Sequence, residues 1–167
     1  MNLKRLLKHR WLDERDAART LDAAALSRLQ ARVTQSESRH SGEIRVLVEA
    51  GLPLSYLWRD LTARARAVTL FGKLRVWDTE HNNGVLIYLL LADHAIEIVA
   101  DRGLSRHVPQ SHWHEVLADM RQAFRAGEFE AGLMGAIARV DDALTQHFAL
   151  APGQANPNEL PDRPVLR

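Results

Sequence analysis

Asn83-Gly84-Val85-Leu86-Ile87-Tyr88-Leu89-Leu90-Leu91-Ala92-Asp93-His94-Ala95-Ile96-Glu97-Ile98-Val99-Ala100-Asp101-Arg102-Gly103 is the stretch from which the fold is read. From Val85 to Leu91 the run is apolar on both faces, so it reads as a central strand covered on both sides. Asp93-His94 is short enough for a hairpin turn, and Ile96 to Val99 is the returning strand. Upstream, Ile44, Val46 and Val48 alternate with Glu43, Arg45, Leu47 and Glu49. That is a strand with one clearly apolar face, ended by Gly51 and Pro53.

Helical spacing fills the rest. Leu26, Leu29 and Val33 predict a helix within Asp16 to Glu37, with Leu21 off the stripe. Ser55 is expected to cap a second helix carrying Leu57, Leu61, Ala65 and Val68. Trp113, Val116, Leu117, Met120 and Phe124 mark a third, closed by Gly127. Phe129, Leu133, Ile137, Val140 and Leu144 mark the last. The order α-β-α-β-β-α-α predicts an α/β (α+β) domain with a small mixed β-sheet flanked by helices. The first two strands pair in parallel through a right-handed crossover, and the last two form a hairpin. Gly132 and Gly135 weaken the last helix, which implies close approach to a neighbour or simple tolerance.

At 167 residues the chain is long enough for one domain with a sizeable core. Its 22 basic and 21 acidic side chains leave a net charge of +1, which argues against a general nucleic-acid binder. The absence of cysteine excludes disulfides, thiolate metal sites and cysteine nucleophiles. Residues 1–15 form a basic N-terminal segment, residues 16–150 the domain, and residues 151–167 a tail with four of the six prolines, expected to be flexible. Lys4, Arg5, Lys8 and Arg10 are not followed by an apolar run of signal-peptide length, so the expected location is cytoplasmic. Leu3, Leu6, Leu7 and Trp11 nevertheless share helical spacing with those cations. Such a segment either docks on its own domain or rests peripherally on an anionic membrane.

The predicted topology brings three polar segments to one sheet edge: 41–43, 78–84 and 101–103. The candidate ligand residues there are Glu43, Asp78, Thr79, Asn82, Asn83, Asp101, Arg102 and Gly103. Asp78, Asn83 and Asp101 offer oxygens to a hard cation such as Ca2+. Arg102, with backbone N–H groups of the glycine turns, could instead receive phosphate or carboxylate. The same residue types are ordinary turn formers, and Asp101 could pair with Arg102 or Arg45 and do nothing else. The sequence has no Gly-x-Ser-x-Gly elbow, phosphate-binding Gly-x-x-x-x-Gly-Lys loop or Asp-x-Asp motif. Asp101 with His107 would suit general acid–base hydrolysis of a phosphate ester. His112 and His114 diverge on a helix, short of the ligands zinc requires. Trp77 and Trp113 read as packing aromatics.

Ser41-Gly42-Glu43-Ile44-Arg45-Val46, Asn83-Gly84-Val85-Leu86-Ile87-Tyr88, Asp101-Arg102-Gly103-Leu104 and Phe124-Arg125-Ala126-Gly127 with Gly132-Leu133 carry a resemblance. In this order and spacing they resemble the TPM domain. That family takes its name from a thylakoid lumen protein, a photosystem II repair protein and a nematode receptor modulator (the MOLO-type domain). The resemblance runs from about Asp22 to Phe148 and implies a mixed sheet flanked by helices. It also implies phosphatase activity in some members, calcium binding near these loops in others, and accessory roles for membrane proteins in others again. By residue match, Asn82, Asn83, Asp101 and Gly103 occupy the family's loop positions. Arg102 and His107 bring positive charge where other members have a longer acidic, glycine-rich turn. The chain is similar to the short soluble bacterial branch, whose implied partners are a LemA-like protein or a membrane-anchored TPM protein. The resulting expectation is a non-enzymatic binding or accessory module. The alternative is a weak acid-phosphatase-like hydrolase using the loop edge.

Overall fold

The structure, a computed structural model, describes residues 3–12 and 14–167, without the side chains of Leu3, Lys4 and Glu14. Its elements are α1 (Leu3–Trp11), α2 (Glu14–Thr20), α3 (Ala23–Glu37), β1 (Ile44–Glu49), α4 (Leu54–Trp58), α5 (Ala63–Lys73) and β2 (Val85–Leu90). They continue with β3 (Ala95–Ala100), α6 (Arg102–Ser105), α7 (Gln110–Arg125), α8 (Phe129–Phe148) and β4 (Val165–Leu166). The sheet order is β3-β2-β1-β4. β1 pairs in parallel with β2, Ile44 opposite Val85, and β2 pairs antiparallel with β3, Val85 opposite Ala100. This is the expected mixed sheet flanked by helices.

Two apolar layers sandwich the sheet. On one face Ile44, Val46, Val48, Val85, Ile87 and Leu89 meet the apolar stripes of α3, α7 and α8. On the other, Leu47, Leu86, Tyr88 and Leu90 meet α4 and α5. Every residue of β2 is buried, as its unbroken apolar run requires. Every residue of β1 is buried too, so Arg45 and Glu49 are not solvent-facing. They survive there because they have partners. Glu49 receives the Arg66 guanidinium, whose Nε donates at 2.9 Å, and the Tyr88 hydroxyl at 2.7 Å. Removing one member of such a group would leave a buried charge uncompensated.

Three sequence expectations need correction. The helix expected within 16–37 is two helices, because the Asp22 side chain accepts from Ala25 N and starts α3 afresh. The helix expected from Ser55 is also two: Asp60 takes a positive φ of 51°, and Thr62 caps α5 through Ala65 N. The apolar phase therefore resets to Ala63, Ala67 and Leu70, leaving Val68 exposed. Finally, the segment 151–167 is not a free tail. Val165 and Leu166 add a fourth strand to β1, opposite Leu47 and Val48, and Leu160 is buried. The prolines suppress regular structure without preventing docking, since the edge of β1 still offers unpaired backbone groups.

The last helix contains both glycine cases. A Cβ on Gly132 would lie 2.5 Å from the Phe124 ring, whereas one on Gly135 would meet nothing within 4 Å. Gly127, at φ 79°, closes α7 as expected. Among the described residues no helix is long and apolar enough to cross a membrane.

Candidate functional site

The three polar segments do meet at the amino ends of β1 and β2. Val85 N donates to Glu43 O at 2.8 Å, Asp101 N to Gly84 O at 2.9 Å, and Gly103 N to Asn82 O at 2.8 Å. Asn82 holds a left-handed turn at φ 51°, a conformation its short side chain tolerates. A Cβ on Gly84 would fall 2.0 Å from Val76 O, and one on Gly103 would fall 2.4 Å from His81 O. A side chain at either position would force the backbone to shift.

The side chains at this edge are largely committed to the loops themselves. Asp101 caps the short α6 by accepting from Arg102 N at 2.7 Å. Arg102 Nε donates to Asn82 Oδ1 at 3.0 Å. Thr79 Oγ1 accepts from Asn83 N, and Asn83 Nδ2 donates to Ser41 Oγ, both at 3.1 Å. Asp78 turns outward to Arg75. Glu43 turns to the C-terminal segment, whose Glu159 accepts from Glu80 N of the loop edge at 3.1 Å. Its Oε2 accepts from Leu160 N at 3.0 Å beneath that segment. His107 stacks on His147 at 5.0 Å and shares no hydrogen bond with Asp101 among the described residues.

Two acceptors at the edge keep no partner: Asn83 Oδ1 and Asp101 Oδ2 are buried and unbonded. Calcium takes about six to eight oxygens. The remaining donor set is one carboxylate and one amide oxygen, with the Arg102 guanidinium beside them. Among the described residues no group of three or more His, Asp or Glu side chains is arranged to hold a metal ion. Asp78, Asn83 and Asp101 thus do not assemble a calcium cage by themselves.

A second polar cluster lies under the C-terminal segment. Glu37 Oε1 accepts from Ile44 N at 2.8 Å, Asp162 accepts from the Thr34 hydroxyl, and an Arg45 guanidinium nitrogen donates to Arg163 O at 3.3 Å. Glu37 Oε2, Glu43 Oε1, Asp162 Oδ1 and Arg45 Nε all stay buried without a partner. Burial pushes the Glu37 carboxyl up to about 9 and the Glu43 carboxyl up to about 7. His40, also buried, is driven down to about 4 and is neutral. Its Nδ1 donates to Gly42 O at 3.1 Å, and its Nε2 accepts from the Ser36 hydroxyl at 2.9 Å.

The TPM domain description matches residues 15–143, which include all three loops of this edge. The chain belongs to the TPM domain family. A solved TPM-like neighbour is BA42 from the psychrophilic bacterium Bizionia argentinensis, determined by NMR. It is 27% identical, with a TM-score of 0.75, over 87% of this chain and 94% of that one. The N-terminal domain of a protein from P. gingivalis shares the fold at 21% identity and a TM-score of 0.64, over 78% of this chain and 82% of its own. No curated protein matches the chain.

Beyond the matched TPM region, α1 docks in an unexpected orientation. Its polar face points inward: His9 Nδ1 accepts from Leu52 N at 2.9 Å, His9 Nε2 meets Asp93 Oδ1 at 2.9 Å, and Arg5 donates to Asp93 and Asp60. Leu6 packs on the second apolar layer. Leu7 and Trp11, one turn apart, are left 53% and 85% exposed. The Leu3 side chain lies outside the described residues. α1 packs against α4, which carries its own exposed pair, Leu54 at 44% and Trp58 at 69%. The sequence reading missed this second pair. Its signal was the i,i+4 spacing of Leu54 and Trp58, hidden by assigning Leu57 to a longer helix.

Proposed function

We propose that this TPM domain, of the short soluble bacterial kind, is a non-enzymatic binding module. It rests on an anionic membrane surface through α1 and α4 and serves a membrane-associated protein there, of the LemA-like or membrane-anchored TPM type. One observation carries the reading: α1 docks through Arg5, Leu6 and His9 and leaves Leu7 and Trp11 outward. A helix serving its own core buries its apolar face. Here Arg5 and His9 are held inward beside Leu6, while Leu7 and Trp11 face solvent beside exposed Lys8 and Arg10. Trp58 at the end of α4 and Arg59 just after it repeat that pairing of aromatic and cation. Tryptophan at the headgroup level with flanking cations is the physical pattern of an interfacial helix. The hydrolytic alternative gains less support, because Arg102 and Asp101 are engaged in holding the loops.

Co-sedimentation with vesicles of equal parts phosphatidylglycerol and phosphatidylcholine tests the reading, with tryptophan emission as a second readout. Binding with a blue shift at low salt, weakened by salt and by Trp11→Ala with Trp58→Ala, is the expected result. No sedimentation with these vesicles at low salt refutes it. Retention of binding in the double variant refutes the assigned face.

A further inference from the structure

We propose that the cavity at the β2–β3 hairpin binds a carboxylate carried on a linear apolar chain, of the medium-chain fatty acid type. This goes beyond the membrane reading and uses different residues. The cavity has a volume of about 480 Å³ and is half open. That size falls within the range of small-molecule sites, roughly 300–1,000 Å³. Its apolar wall comes from Leu89, Leu91 and Ile96 of the hairpin and from Phe124 and Phe129 at the α7–α8 corner. It lies toward the carboxyl end of β2, the end of parallel strands where open α/β sheets receive ligands. The candidate loop edge lies at the opposite end.

The wall is firmly held. The Phe124 and Phe129 rings stack at 5.1 Å, and the Phe124 edge sits where a Gly132 side chain would be. The turn that joins their helices is pinned by Glu128 N donating to Ala123 O at 2.9 Å. The shape is therefore largely preformed, which lowers the ordering cost of binding.

Cations supply the polar end. Arg121 and Arg125 stand one turn apart on α7 and line the cavity, with His94. Neither arginine makes a hydrogen bond or ion pair among the described residues. The carboxylate that feels Arg121, Glu97, is held by Arg64 at 3.5 Å. Two unengaged guanidinium groups beside an apolar wall fit a planar carboxylate at the rim with its chain laid against Leu and Phe. An alcohol of the same length would lack the charge, and acetate would lack the chain.

Amide-resolved NMR titration of the full chain with hexanoate, octanoate and decanoate tests this, with decanol and acetate as controls. Saturable shifts at Leu89, Leu91, Ile96, Phe124 and Phe129 are expected, with affinity rising roughly threefold per added methylene. Decanol should bind at least tenfold more weakly than decanoate. Arg121→Ala with Arg125→Ala, both at exposed positions, should weaken decanoate at least tenfold and leave the remaining spectrum unchanged. The proposal is overturned by no saturable shift at millimolar decanoate or by shifts confined to α1 and α4. Equal binding of decanol, or equal binding by the double variant, also overturns it.

Discussion

Glu37→Gln should flatten the pH dependence of stability above neutrality. Glu37 is 4% exposed, one oxygen bonded to Ile44 N and the other unpartnered near Glu43 and Asp162. Burial raises its carboxyl from 4.5 to about 9. The folded protein therefore keeps this proton between those values while the unfolded chain has lost it. An acid with a raised folded pKa is most favourable to folding below its unfolded pKa, and that contribution is lost as pH rises toward the folded one. One retained proton gives a slope of about −1.4 kcal/mol per pH unit. His40, lowered from 6.5 to about 4, has the opposite sign, fades above 6.5 and is common to both proteins. Over a window from about pH 6.5 to about 8.5, Glu37 contributes a loss of about 3 kcal/mol that the Gln variant lacks. For a chain of this size that is about 5–10 °C in Tm. Glu43, raised to about 7, ionises in both proteins, so the difference between them reports Glu37. Gln keeps the acceptor for Ile44 N and cannot ionise. Urea denaturation of both proteins at each end of the window is the assay. Parallel slopes would refute the claim that Glu37 is buried and neutral.

Other perturbations test neighbouring parts of the structure. Gly84→Ala puts a methyl 2.0 Å from Val76 O and should cost about 1–3 kcal/mol, whereas Gly135→Ala meets nothing and should gain about 1 kcal/mol, both read from denaturation midpoints. Arg66→Met strands the Glu49 carboxylate beside Tyr88 and should destabilise by about 3–5 kcal/mol, with partial recovery in Arg66→Met combined with Glu49→Leu. Calcium added to the labelled protein is expected to leave the amides of 41–43, 78–84 and 101–103 in place. Saturable shifts there would show that Asn83 Oδ1 and Asp101 Oδ2 gain ligands from elsewhere in the loops. Leu160→Asp places a charge beneath the C-terminal segment and should expose the edge of β1, detectable as faster amide exchange at Leu47 and Val48.

The central architecture was legible because its signals are local and redundant. The apolar run of β2, the hairpin after it and the stripes of α7 and α8 each point to one state. The meeting of the three loops followed from topology alone. What those loops do with their side chains did not, since whether Asp101 caps a helix or faces a ligand depends on the φ and ψ of its neighbours. Glu43 was misplaced for a different reason. Period-two alternation gives the face, but the cover on that face is supplied by Leu160, 117 residues later. Short breaks at Asp22 and Thr62 were hidden because apolar spacing alone bridges a reset in phase. The outward pairs on α1 and α4 illustrate the limit of amphipathic reasoning: spacing finds a stripe, and only packing says which side of it is turned to water.

The pairing of β4 with β1 sets a timetable for biosynthesis. The paired residues Leu47 and Val165 are about 120 places apart in the chain, so every other element described here emerges from the ribosome before β1 gains its outer neighbour. Through that interval the nascent sheet carries an open, largely apolar border, the kind of surface another strand can claim. Slowing or truncating synthesis near the C-terminal segment should therefore affect yield through misassembly well before it affects the finished fold.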